Sequence, residues 1–285
     1  MSAGADVRRL TGMMRQALVV SVVILLALGI DLLLFPGSTD RFFSWPIQPP
    51  YTASVFAANY LAATVVLALA MRGRVWAPVR TVLPGGIAFS SLAVVATLLH
   101  FGKFNQHSDA LFAQVITWVW LVAYAVLPPV LIIAWPGQVR APGHDPGREP
   151  PPAWLRTSVG ATGAVMLFAG VGLFLVPDQL AKVWPWFITP LTGRVLGAWA
   201  CGLGLVFGLA AVENDRMRLR APVAALGLFG VLQALAIVRD GSGEIDWGSP
   251  GAWAWAALLI ASAVLGAAGW AVIGDREPRW GAMGA

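Results

Sequence analysis

Ionisable side chains are rare within the apolar segments of this sequence. Asp31 is the one acid inside such a segment, His100 and Arg239 stand at segment ends, and Arg194 stands just inside another segment. Charged groups within a membrane are costly to bury, so they are treated as functional candidates. With neighbouring polar and aromatic side chains they form the candidate ligand-binding set. The set is Asp31, Trp45, Asn59, His100, Gln114, Trp184, Arg194, Gln233 and Arg239.

These residue types favour binding over catalysis. The sequence contains no phosphate-binding loop, no HExxH zinc motif, no GxSxG nucleophile motif and no paired-carboxylate motif. No lysine lies inside an apolar segment, which excludes a retinal Schiff base, and there are no facing histidines for a haem. We therefore predict no catalytic residue, no metal site and no cofactor. A weaker alternative is an enzyme that uses His100 at the extracytoplasmic face.

The composition is that of a membrane protein. Hydrophobic residues make up 58% of the chain and charged residues only 12%, with a mean hydropathy of +0.73, whereas soluble domains carry about 25% charged residues. A pI near 10.1 would suggest nucleic acid in a soluble protein. An uneven placement of arginine across a membrane explains it equally well. We predict the lipid bilayer as a partner and no nucleic acid.

Eight apolar segments have the length of about 20 residues that a helix needs to cross a bilayer. The first follows Arg8, Arg9 and Arg15, as a signal peptide would, but it is long and lacks a small-residue cleavage pattern. The sequence therefore predicts an all-α, polytopic membrane protein. The predicted spans are 16–35, 52–71, 81–101, 110–135, 157–176, 192–212, 221–239 and 251–273.

The positive charges predict the orientation of these spans. Of the 19 lysines and arginines, only Arg41, Lys103, Lys182, Arg194 and Arg239 fall on the side opposite the N-terminus. Cytoplasmic loops are enriched in Lys and Arg, so both termini are predicted to be cytoplasmic. Abundant arginine, alanine and glycine suggest a bacterial genome, which places the protein in a bacterial cytoplasmic (inner) membrane.

The two halves of the chain resemble each other. Trp45-Pro46 corresponds to Trp184-Pro185, and an offset of 140 residues then relates two spans of each half without gaps. An even number of spans in each half gives both the same direction, which predicts two tandem parallel-repeat four-helix units. These are residues 1–135 and 154–285. The Pro-rich residues 136–153 are predicted to be a cytoplasmic linker that does not fold.

The loops after the first and fifth spans are rich in Trp, Phe and Pro. They are expected either to pack at the membrane interface or to form a lid. Because the polar candidates lie toward that side, the leading hypothesis is a protein that binds or carries a small amphipathic or apolar molecule in a cavity open to the extracytoplasmic side. Asp31 and Arg194 would supply charge complementarity, and Trp45 and Trp184 would cover the ligand. The alternative for Asp31 is an ion pair with Arg194, Arg41 or Arg239.

A second hypothesis is a non-catalytic accessory or assembly subunit of a membrane complex. Gly193, Gly197, Gly204 and Gly208 are spaced four apart in pairs along the sixth span. Such spacing lets helices approach closely. It predicts packing within the chain, or a seam with a membrane-protein partner or a homodimer.

Overall fold

The computed structural model describes residues 7–274, which form eight long helices and several short turns. Arg276, Arg279 and both termini, which enter the predicted orientation, lie outside the described residues. The helices are α1 (Gly12–Leu34), α2 (Pro50–Met71), α3 (Trp76–Leu99), α4 (Leu111–Val139), α5 (Ala153–Leu175), α6 (Pro190–Glu213), α7 (Arg216–Ala236, continuing in a π-helical turn Ile237–Gly241) and α8 (Pro250–Ile273).

All eight helices are long and apolar enough to cross a membrane. The predicted all-α, eight-span class is therefore confirmed, and each predicted span overlaps one helix. The largest differences are at α3, which begins at Trp76 instead of 81, and at α7, which begins at Arg216 instead of 221. Both differences follow from polar or Pro-containing turns that remain helical. Membrane helices tolerate proline because their surroundings satisfy the freed backbone groups.

Local signals in the sequence fix where several helices begin. Thr11, Asp215 and Ser249 cap α1, α7 and α8 by accepting a hydrogen bond from a backbone N–H in the first turn. Proline occupies the first helical position of α2 and α6, where its missing N–H has no helical partner to lose. These local signals determine the residues at which the helices begin.

The chain alternates between two faces of the bundle. Helices α1, α3, α5 and α7 begin at one face, called here the basic face, where Arg8, Arg80 and Arg218 converge on Asp145. The remaining helices begin at the opposite face, where the loops after α1 and α5 lie. The four inner helices are α2, α3, α6 and α7; α3 packs on α6 and α2 on α7. Helices α1, α4, α5 and α8 flank this core.

Glycines set the closest helix contacts. A Cβ on Gly85 of α3 would clash with the carbonyl oxygen of Gly202 on α6. On the other side of α6, a Cβ on Gly197 would lie 2.7 Å from the Gly170 carbonyl oxygen, and one on Gly204 would lie 2.8 Å from the Gly163 carbonyl oxygen of α5. The glycine spacing of the sixth span therefore serves contacts within the chain, the first of the two expectations for it.

Residues 140–152 contain no helix, yet they are attached at several points. The N–H of Arg8 donates to the His144 carbonyl oxygen at 3.0 Å, and the N–H of Glu149 donates to Asp215 Oδ1 at 2.8 Å. The N–H of Arg216 in turn donates to the Glu149 carbonyl oxygen at 2.8 Å. The segment without a helix is therefore residues 140–152 and not the whole of the predicted linker 136–153. It is held against the basic face because its polar groups form hydrogen bonds with the helix ends.

Candidate functional site

The nine predicted site residues do not form one site. They are divided among separate contacts on the half of the bundle near the opposite face. Gln114, for example, donates from Nε2 to the Ser108 carbonyl oxygen at 2.5 Å, and Arg239 Nε lies 3.3 Å from Asp240 Oδ2. Asp240 in turn accepts a hydrogen bond from Ser54. These are local contacts at helix ends.

Asn59 and Gln233 are brought together in the core. Gln233 Nε2 donates to Asn59 Oδ1 at 2.8 Å and to the Val55 carbonyl oxygen at 3.1 Å. Both amides are buried, and Gln233 Oε1 has no partner among the described residues. This pair joins α2 to α7, so its first role is to connect the two halves of the chain.

His100 and Arg194 also meet. Arg194 Nη1 lies 2.7 Å from His100 Nε2, which joins the end of α3 to the start of α6. Burial lowers the pKa of His100, the positive charges of Arg194 and Lys103 lower it further, and Asp178 partly opposes them. The neutral ring can therefore accept the hydrogen bond from Arg194. Within residues 7–274, no group of three His, Cys, Asp or Glu side chains lies close enough to hold a metal ion.

Asp31 is buried without the predicted arginine partner. Its side chain is 8% exposed, and neither carboxylate oxygen accepts a hydrogen bond within the described chain. Arg194 forms a hydrogen bond with His100. Arg239 and Arg41 each lie beside the adjacent aspartate in the sequence. The prediction of an ion pair between Asp31 and one of these arginines is therefore wrong. An unpartnered acid at this depth remains a candidate functional group.

Trp45 and Trp184 differ in their surroundings. Trp45 is 2% exposed and packs edge-on against Phe43 and Trp120, with ring centroids 4.9 and 5.0 Å away. Trp184 is only half-buried and lies 5.1 Å from Trp186. The loop after α1 is therefore folded into the bundle rather than lying over it. Trp45 contributes to the core instead of covering a free space.

A cavity lies within the first four helices. It holds about 120 Å³ between α1, α2, α3 and α4, with α6 forming another wall. It sits near the middle of the spanning helices and extends toward the basic face, since its walls include Leu18 of α1 and Leu131 of α4. None of the nine predicted site residues lines it. Hydropathy alone could not reveal the cavity, because its wall has the same composition as a packed core.

The cavity wall is almost entirely apolar. The hydroxyls of Ser21 and Ser90 donate back to their own helices at 2.9 and 2.8 Å, and so present little polarity to the cavity. The Tyr124 hydroxyl is 3.0 Å from the Tyr60 hydroxyl. Gly86 is exposed and a Cβ there would meet nothing within 4 Å. The arrangement suits an uncharged, apolar occupant.

The basic face holds an ion-pair cluster that the sequence reasoning missed. Arg218 is 1% exposed, and its Nη1 lies 3.0 Å from Asp215 Oδ2. Asp145 and Glu213 lie within 3.7 Å of the same guanidinium group. Arg218 lies three residues before the predicted seventh span, so it was interpreted only as an orientation signal. Asp215 and Glu213, three and five residues before Arg218, were the sequence feature that could have indicated an ion pair with it.

Comparison with known proteins adds no family to this description. No protein-family model, no curated protein and no solved structure matches the chain.

Proposed function

We propose that this multi-pass membrane protein binds a mainly apolar, lipid-like molecule in the cavity of its first four helices. The observation that carries the proposal is an almost entirely apolar wall around a cavity of about 120 Å³. Small-molecule sites are typically concave and largely apolar. Side chains that line a cavity lack packing partners on the open side, and an apolar occupant would restore those dispersion contacts.

The proposed ligand belongs to the class that the leading sequence hypothesis names, but the proposed binding site lies elsewhere in the bundle. The polar residues near the opposite face are engaged in separate contacts, and Trp45 is packed in the core. The cavity lies deeper, where no charged side chain lines it. An apolar molecule entering from the bilayer would reach it at Gly86 without passing through water.

The membrane arrangement is proposed with it. We place the basic face on the cytoplasmic side of a bacterial inner membrane, because arginine is concentrated at this face. Two tandem four-helix units are supported by the pairing of the inner helices. If α2 corresponds to α6 and α3 to α7, the contacts α2–α7 and α3–α6 exchange with each other. A parallel repeat with an axis along the membrane normal predicts this exchange.

The test is mass spectrometry of the protein extracted in native lipid discs without detergent. We expect a near-stoichiometric apolar molecule in the wild type and its loss in Gly86→Phe, because the new ring would fill the cavity. Gly208→Phe is the matched control, since Gly208 also has open space at its Cβ but lies outside the cavity wall. Equal retention in both variants, or an absence of any enriched molecule, would reject the proposal.

The accessory-subunit alternative has less support. Gly197 and Gly204 of α6, which were among the residues that favoured it, lie against α5 within the chain. Recovery of one other membrane protein at constant ratio in the same discs, with no enriched small molecule, would restore that alternative.

A further inference from the structure

A second pocket opens on the basic face, at the seam between the halves of the chain. It holds about 400 Å³ and is formed by the end of α2, the turn into α3, the start of α7 and the end of α8. It shares no residue with the cavity of the first four helices. We infer that this pocket binds the headgroup phosphate of an anionic phospholipid from the leaflet that covers the basic face.

The charge of the pocket favours an anion. Arg220 and Arg72 line it, and its wall contains no acidic residue. The guanidinium of Arg220 lies over the ring of Trp270, 5.2 Å from its centroid. This cation–π contact holds the arginine in the pocket without neutralising its charge.

The carboxylates that the structure describes near this pocket are engaged elsewhere. Asp145 and Glu213 pair with Arg80, Asp215 pairs with Arg218, and Glu149 lies 3.5 Å from Arg216. No acid among residues 7–274 forms an ion pair with Arg220. Within this part of the chain no carboxylate matches its charge, and a ligand phosphate, which arginine binds well through paired N–H donors, would do so.

The depth and shape of the pocket favour a lipid as the source of that phosphate. Leu69 and Ala70 lie in the last turn of α2 and Trp270 in the last turn of α8, at the level where spanning helices end. Tryptophan and arginine at this level are typical of the headgroup region. The apolar part of the wall, with Met217 and Ala221, would accept the start of an acyl chain. Basic pockets between membrane helices on the cytoplasmic side bind anionic headgroups in this way.

The experiment uses delipidated full-length protein in lipid discs. Phosphatidylglycerol and phosphatidylcholine are supplied as a defined mixture, and the retained lipid is counted by native mass spectrometry. We expect retained phosphatidylglycerol in the wild type and about tenfold weaker retention in Arg220→Gln, as expected for loss of a charge-assisted contact. Arg220→Lys keeps the charge and should retain most of the preference, which separates binding from folding.

Arg156→Gln is the control, because Arg156 is an exposed arginine of α5 on the same face and lies outside the pocket. An equal loss of phosphatidylglycerol in Arg156→Gln would overturn the proposal in favour of diffuse attraction. So would equal retention of the two lipids. Displacement of the lipid by millimolar inorganic phosphate would also overturn it, in favour of a free-anion site.

Discussion

Arg80 of α3 and Glu213 of α6 form an ion pair between the two halves of the chain, with Arg80 Nη2 2.6 Å from both carboxylate oxygens. Glu213 also lies 3.6 Å from Arg218 and 3.1 Å from Arg148. Arg80 reaches Asp145 through its other terminal nitrogen at 2.5 Å. The Glu213 carboxylate thus contacts α3 of the first half, α7 of the second half and the segment that connects the halves.

Substitution Glu213→Gln should destabilise the protein by at least about 2 kcal/mol, because it leaves the buried Arg218 and the partly buried Arg80 without this carboxylate. Arg148→Gln, which removes a 58% exposed partner of the same carboxylate, should cost less than about 1 kcal/mol. Thermal unfolding followed by tryptophan fluorescence compares the two. Equal losses would contradict a role set by burial.

The contact of α3 with α6 depends on Gly85. Gly85→Ala should lower the free energy of unfolding by about 1–3 kcal/mol, because the new methyl group would clash with the Gly202 backbone and force the helices apart. Gly86→Ala, one residue on, should be neutral or stabilise by about 0.5–1 kcal/mol, because its Cβ meets no neighbour and alanine favours helix. Chemical unfolding of both variants in the same lipid discs checks this difference, and a reversed order would refute it.

Trp45 is expected to act through packing. Trp45→Ala should destabilise by about 3–5 kcal/mol, because it removes a 2% exposed ring from among Phe43, Phe104 and Trp120. Trp184→Ala should cost clearly less, since Trp184 is half-buried. Unfolding curves and ligand retention are measured together. A Trp45→Ala variant of normal stability that releases its ligand would instead support the lid.

Asp31 should prove unnecessary for stability. Asp31→Leu is expected to raise the free energy of unfolding by about 1–3 kcal/mol, because the buried carboxyl group has no hydrogen-bond partner within the described chain. Asp31→Asn keeps the shape and serves as the control. A loss of stability in both variants would reveal a partner. A stable Asp31→Leu protein with altered ligand binding would assign the acid a function.

His100 should make stability depend on pH. Its pKa in the folded protein lies below the ordinary value of 6.5, so the unfolded chain binds a proton first as the pH falls. The free energy of unfolding is therefore expected to decrease as the pH drops through about 6.5, and to level off below the folded-state pKa. His100→Gln should flatten this part of the profile. An unchanged profile would mean that another group titrates there.

The sequence was sufficient for the membrane class because each span is a continuous apolar run. It was insufficient for the site because hydropathy does not say which face of a helix meets which neighbour. Asn59 and Gln233 were predicted to bind a ligand, and in the structure they bond to each other across the halves. Arg218 was counted among loop charges, although folding buries it against Asp215. The cavity wall, with residues such as Leu25 and Val66, is indistinguishable in sequence from core.

The cluster around Arg218 also bears on how the chain is made. Asp145 leaves the ribosome before Glu213, Asp215 and Arg218, so the first four helices enter the membrane with this carboxylate beside Arg8 and Arg80 alone. Only the arrival of the turn between α6 and α7 supplies Glu213 to Arg80 and encloses Arg218. A chain truncated before this turn would therefore leave Arg80 with Asp145 as its single carboxylate partner among the described residues.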